Sequence, residues 1–85
     1  MDPKEVETLI TNALEGAHTV VLDPNNDRTH LEAQVVWDGF EGMRLVQRHR
    51  AVYQAVQNEL DSGRLHALQL TCLTTQEAKE RASAG

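Results

Sequence analysis

Cysteine occurs once in these 85 residues, at Cys72, so no internal disulfide can form and a reducing compartment is expected. Basic charge is scarce: eight Lys and Arg face 13 Asp and Glu, for a net charge of −5. A protein that holds nucleic acid by neutralising phosphates ordinarily has the opposite balance, so only a local basic patch remains open to that use. No apolar run nears the 18 or so residues that would span a bilayer, and the opening residues lack a basic-then-apolar leader. The expectation is a cytoplasmic protein without a membrane partner. The chain is also too short for a second core or a large enclosed cavity, since a domain of this size buries only about 60% of its unfolded surface. Catalytic groupings are missing as well. Ser62 falls in a turn and Ser83 in a tail, neither has a His–Asp pair spaced to activate it, and the carboxylates form no acid/base pair. An enzyme is not expected.

What is present suits one globular core, with 40% hydrophobic and 25% charged residues. Asp2, Pro3 and Glu5 spell a helix start, and Val6, Leu9, Ile10, Ala13 and Leu14 make an apolar stripe that Gly16 stops. "HTVVL" (18–22) is a β-branched strand, "DPNNDR" (23–28) a reversal, and "THLEAQVVW" (29–37) an alternating strand with Leu31, Ala33, Val35 and Trp37 on one face. After the turn "DGFEG" (38–42) the period becomes helical. Leu45, Val46, His49, Val52, Tyr53, Val56 and Leu60 form the expected buried stripe, in one helix or two, up to Gly63. "LHALQLTC" (65–72) is a third strand, with His66, Leu68, Leu70 and Cys72 in phase. Thr74 and Glu77 open a last helix through Ala82, and 83–85 is a frayed tail. A strand that follows a crossover helix pairs in parallel. The order αββααβα therefore predicts a single α+β domain over residues 1–82, with helices on one face of a three-stranded mixed sheet.

That order, with "FEGMRLVQRHRAVY" (40–53) and "LHALQLTCLT" (65–74), resembles the BolA family over nearly the whole chain. The matching residues are Phe40 and Gly42 of the turn, Arg48, His49, Arg50, Val52 and Tyr53 of the helix, and His66 and Ala67 at the strand opening. The short hairpin loop looks like the compact bacterial IbaG-type branch. The resemblance implies a type II KH-like fold. It also implies a partner, monothiol glutaredoxin, in a heterodimer around a shared 2Fe–2S cluster to which glutaredoxin and glutathione bring two thiolates; alone, the chain would carry no cofactor. Regulation of transcription, morphology or stress is the family's other implied role. His66 matches the usual cluster ligand. The loop lacks the Cys or His that often supplies a second, which leaves His30 just beyond it as the candidate. "TTQEA" also stands where the family's last helix usually opens with Thr-Pro.

Each site has a plainer reading beside the sharper one. His66 is either a ligand or a rim histidine bonded to backbone, and His30 either the second ligand or a surface strand residue. Cys72 is a small core residue, because six strand residues set it roughly 20 Å from His66. His49, four residues from Leu45 and Tyr53, reads as a core histidine, and Phe40, Gly42 and Tyr53 as structural. Arg44 and Arg48 share an outer face while Arg50 points elsewhere. They offer a solvated face, a docking surface for glutaredoxin and glutathione carboxylates, or a KH-like hook for DNA or RNA phosphates. The last needs the GxxG spacing of "GFEG", in which Glu41 would repel a phosphate.

Overall fold

In the computed structural model of the chain, which describes residues 1–84, Asp2 opens helix α1 (Pro3–Ala13) as its sequence suggests. Asp2 Oδ1 accepts the Lys4 N–H at 2.8 Å while Glu5 Oε1 accepts the Asp2 N–H at 3.5 Å, a reciprocal cap for two otherwise orphaned donors. Val6 and Ile10 on the inner face are fully buried, whereas Ala13 in the last turn is exposed.

Strand β1 (His18–Leu22) pairs antiparallel with β2 (His30–Val36), from His18 opposite Val36 to Leu22 opposite Glu32. A 3-10 turn (Asp38–Phe40) leads to α2 (Leu45–Ala55) and the short α3 (Gln57–Asp61). The chain then returns as β3 (Ala67–Leu73), parallel to β2 and in register from His30–Ala67 to Val36–Leu73. Helix α4 (Thr75–Ala84) follows. Alternation sends Val21, Leu31, Ala33, Val35, Leu68 and Cys72 to one face, where Val6, Ile10, Phe40, Val52, Val56 and Leu65 complete the core. Val20, Leu22, Gln34 and Gln69 stay exposed on the other face. The result is the expected two-layer α+β domain with a three-stranded mixed sheet.

Three local expectations change. Strand β3 starts two residues late: Leu65 drops into the core and His66 is left exposed ahead of the strand. Leu45 and Val46, expected to be buried, are 63% and 54% exposed, because the inner face of α2 is filled at Arg48 and Val52. Helix α4 continues through Ser83 to Ala84, two residues past the expected end, and Gly85 lies outside the described residues.

Arg48 corrects the largest misreading. Expected on an outer docking face, it is only 8% exposed. Its Nε donates to Met43 O at 3.0 Å, its Nη1 donates to Cys72 O at 3.2 Å and to Glu77 Oε1 at 2.6 Å, and its guanidinium lies 5.7 Å from the Phe40 ring centre. Glu77 Oε1 also accepts the Thr74 N–H at 2.8 Å, and Thr74 Oγ1 accepts the Glu77 N–H at 3.2 Å, the expected capping box. One ion pair thus fastens the entry to α2, the end of β3 and the start of α4. A planar five-donor fork makes such a junction, and a lysine does not. The Arg48 hydrogen bonds, helped by the Thr74 N–H, hold the Glu77 carboxyl below its ordinary value of 4.5. A depressed carboxyl stabilises the fold above that ordinary value and stops doing so as pH falls through the depressed one. Arg48→Ala should therefore lower the unfolding free energy by about 2–3 kcal/mol in urea at neutral pH. Its gap from the parent should narrow as the pH drops below 4.5. Arg44→Ala and Arg50→Ala, at exposed positions, should each stay within about 0.5 kcal/mol of the parent.

Candidate functional site

The hairpin loop between β1 and β2 is organised by two aspartates. The Asp23 carboxylate accepts the N–H of Asp27 at 3.2 Å and of Arg28 at 3.0 Å, steadying a turn in which Asn26 (φ 54°) and Arg28 (φ 61°) are left-handed. Asp27 then folds its carboxylate onto the start of β2. Its Oδ1 accepts the N–H of Thr29 and of His30, each at 3.0 Å, and its Oδ2 lies 2.9 Å from His30 Nδ1. The backbone N–H groups of His30 and Thr29, with the His30 ring behind them, hold the Asp27 carboxyl far below the usual range. The His30 side chain is 49% exposed, at the loop edge where its sequence position suggested.

Thr29 brings the second histidine alongside. Its carbonyl accepts both the His66 N–H at 2.8 Å and the Ala67 N–H at 3.1 Å, which starts the parallel pairing at that point. Because β2 and β3 run the same way in register, His30 and His66 meet at one end of the sheet. Their rings stand edge to face, with centres 5.5 Å apart and planes at 89°. Such a contact is ordinary aromatic packing. The separation is also of the size expected for two imidazoles on one tetrahedral ion, whose ring centres would lie about 5 Å apart at a metal–nitrogen distance of about 2.1 Å. Among the described residues no three His, Cys, Asp or Glu side chains gather into a complete metal-binding group. The two imidazoles amount to two nitrogen donors, a set that would fit the two-histidine iron of a 2Fe–2S cluster but not a complete metal site.

The other sequence candidates serve the fold. Cys72 is 2% exposed, and burial pushes its thiol up to about 11 against the opposing charge of Arg48, so it is a protonated core side chain. His49, expected in the core, is only half-buried, its ring centre 6.5 Å from that of Tyr53. Tyr53 donates to Leu68 O at 2.8 Å, and Phe40 is fully buried against Trp37, whose Nε1 donates to Glu15 O at 2.8 Å. The two glycines of "GFEG" have structural work. A Cβ on Gly39 would collide with the Trp37 indole, and Gly42 turns the chain at φ 79°. Arg48 reaches Cys72 O near the far end of β3, six strand residues or roughly 20 Å from His66. The structure joins His30 to His66 and commits Arg48 to Cys72 and Glu77 instead.

Asp27 is the site residue that sequence reading missed. In "DPNNDR" it counts only as a turn former, although an aspartate three residues ahead of a histidine at a strand start has the spacing to bond back to it.

The sequence pattern of a family described as BolA-like protein matches residues 3–77. The chain is 36% identical over 81 residues to Protein BOLA1, chloroplastic, of Arabidopsis thaliana, an alignment covering 95% of this chain and 50% of that protein. It is 41% identical over 54 residues to the DNA-binding transcriptional regulator BolA of Vibrio cholerae, covering 64% of this chain and 50% of the other. The chain thus aligns with half the length of each of these relatives. The structure of a bolA protein homologue from Coxiella burnetii superposes with a TM-score of 0.80 at 29% identity, covering 93% of this chain and 97% of that one.

Because both rings are exposed and only His30 holds a side-chain partner, His30→Ala and His66→Ala should each unfold in urea within about 1 kcal/mol of the parent. A larger loss would mean that the rings hold the fold together.

Proposed function

The chain belongs to the BolA-like family, and from that premise we propose that it is an interaction protein, not an enzyme, which binds a monothiol glutaredoxin and co-ligates a 2Fe–2S cluster with it. The observation that carries this reading is the exposed His30–His66 pair, 5.5 Å between ring centres, at the rim of the sheet. Glutaredoxin and glutathione thiolates would hold one iron and the two imidazoles the other. Imidazole in place of thiolate raises the cluster's potential, which suits iron–sulfur trafficking or iron and stress sensing. Only neutral imidazole coordinates, so protonation competes with binding and acid weakens the complex. His66 is the primary ligand, held at the backbone by Thr29, and His30 is the second. Two donors retain a metal poorly by themselves, so the free chain would carry no cofactor; it is proposed to be a monomer, its long apolar stripes being taken up by the core. Among the described residues no helix is long and apolar enough to cross a membrane, and the reducing cytoplasm is the proposed setting.

The Vibrio cholerae relative's name supports a second reading, a KH-like DNA- or RNA-binding regulator. Arg48 is already engaged with Glu77, which leaves Arg44, just before α2, and Arg50, within it, as the exposed arginines of this stretch. So few cations support only a shallow salt dependence, and duplex binding should be no tighter than the non-specific range of about 10⁻⁴–10⁻⁶ M. Tight binding that weakens steeply with salt and is lost in Arg44→Ala with Arg50→Ala would favour the regulator.

The cluster reading is tested by titrating the protein into glutathione-ligated, cluster-bound monothiol glutaredoxin and following visible circular dichroism. A new spectrum should saturate at one equivalent, fail to form with His66→Ala, and form in altered shape with His30→Ala. A spectrum unchanged by the parent protein contradicts cluster sharing, and one indifferent to His66→Ala contradicts the ligand assignment.

A further inference from the structure

The geometry points to Asp27 as a positioning residue: we propose that its carboxylate holds the His30 ring in one orientation and one tautomer, with the proton on Nδ1 and the lone pair of Nε2 free. This deepens the proposed function and rests on it for the identity of the metal, but the arrangement belongs to the free chain.

Both carboxylate oxygens are committed, Oδ1 to two backbone donors at 3.0 Å and Oδ2 to His30 Nδ1 at 2.9 Å. An ionised carboxylate only accepts, so Nδ1 must carry the proton. Thr29 Oγ1, 3.1 Å from the same nitrogen, serves as an additional acceptor. In water, a neutral histidine side chain favours the opposite tautomer, with its proton on Nε2. Left to itself, His30 would thus carry its proton mainly on Nε2, which could not then coordinate. Asp27 reverses that preference before any metal arrives. The carboxylate does not itself swing freely, because its own backbone is fastened to Asp23 at 3.2 Å and its Oδ1 is bound to the start of β2. A carboxylate behind a ligating imidazole fixes its ring and raises its basicity, and loss of such a partner typically costs 10–100-fold in metal affinity.

Asp27→Asn is the discriminating change. Its oxygen can keep the two backbone N–H donors, which turns the amide NH₂ toward Nδ1. The amide then donates, the proton moves to Nε2, and the coordinating lone pair is lost without loss of shape. Asp27→Ala removes the partner altogether and lets the ring revert to its solvent preference. It serves as the second variant should the amide settle differently.

The test is long-range ¹H–¹⁵N correlation of the histidine rings in the free protein at pH 8, where the tautomers are told apart by their nitrogen shifts. The parent should show His30 protonated on Nδ1, and both variants should move the proton to Nε2, with His66 and the backbone spectrum outside the loop unchanged. A parent His30 protonated on Nε2, or variants that keep it on Nδ1, would overturn the proposal. The same proteins titrated into cluster-bound glutaredoxin should show at least about tenfold weaker cluster sharing for Asp27→Asn. Equal affinity would overturn the positioning role while leaving the cluster reading intact. If the parent takes up no cluster, the cluster reading fails, and the ring shifts alone decide whether Asp27 sets the tautomer.

Discussion

The parallel pairing of β2 with β3 is the constraint on which everything functional here depends. Two histidines 36 positions apart in sequence meet only because Thr29 O gathers the His66 and Ala67 N–H groups and starts both strands from one line. A parallel ladder needs a long crossover, and here α2 and α3 supply it while covering the sheet. A slip of one residue would turn Leu31, Ala33 and Val35 out of the core, so burial on the helix side enforces the register. The histidine pair inherits its geometry from that apolar packing.

Charge is divided between two tasks. Arg48 and Glu77 use theirs inside the fold, drawing α2, β3 and α4 together where an apolar side chain could not satisfy the Met43 and Cys72 carbonyls. Asp23 and Asp27 use theirs in the loop, converting a run of turn formers into a fixed cradle for the His30 ring. What the chain presents outward is thus less basic than "RLVQRHR" reads on paper, and the exposed imidazoles are its most distinctive outward chemistry.

The elements were legible because their signals are local: the Asp2 and Thr74 caps, the alternation of Leu31, Ala33 and Val35, and the turn formers at 23–28. His66 and the neighbouring His30 were legible as candidates only through the family resemblance, since a place at a strand start by itself suits a plain rim histidine. What stayed hidden is what tertiary contacts decide. A helical stripe cannot say that Arg48 turns inward while Leu45 and Val46 face solvent, since an arginine in the core is forbidden until its partner, 29 residues on, is known. Nor does "DPNNDR" say which of its acids turns back to a ring. Leu65 entered the core ahead of the strand for a similar reason: its N–H is taken by Glu59 O, and this holds it out of the ladder.

The central claim is that His30 and His66 act together on one iron. Pulsed electron paramagnetic resonance on the one-electron-reduced cluster shared with glutaredoxin counts coordinated imidazoles directly through their ¹⁴N couplings. Two strongly coupled nitrogens in the parent protein, falling to one in His30→Ala, are predicted. A single coupled nitrogen in the parent that survives His30→Ala, or none at all, would contradict the account.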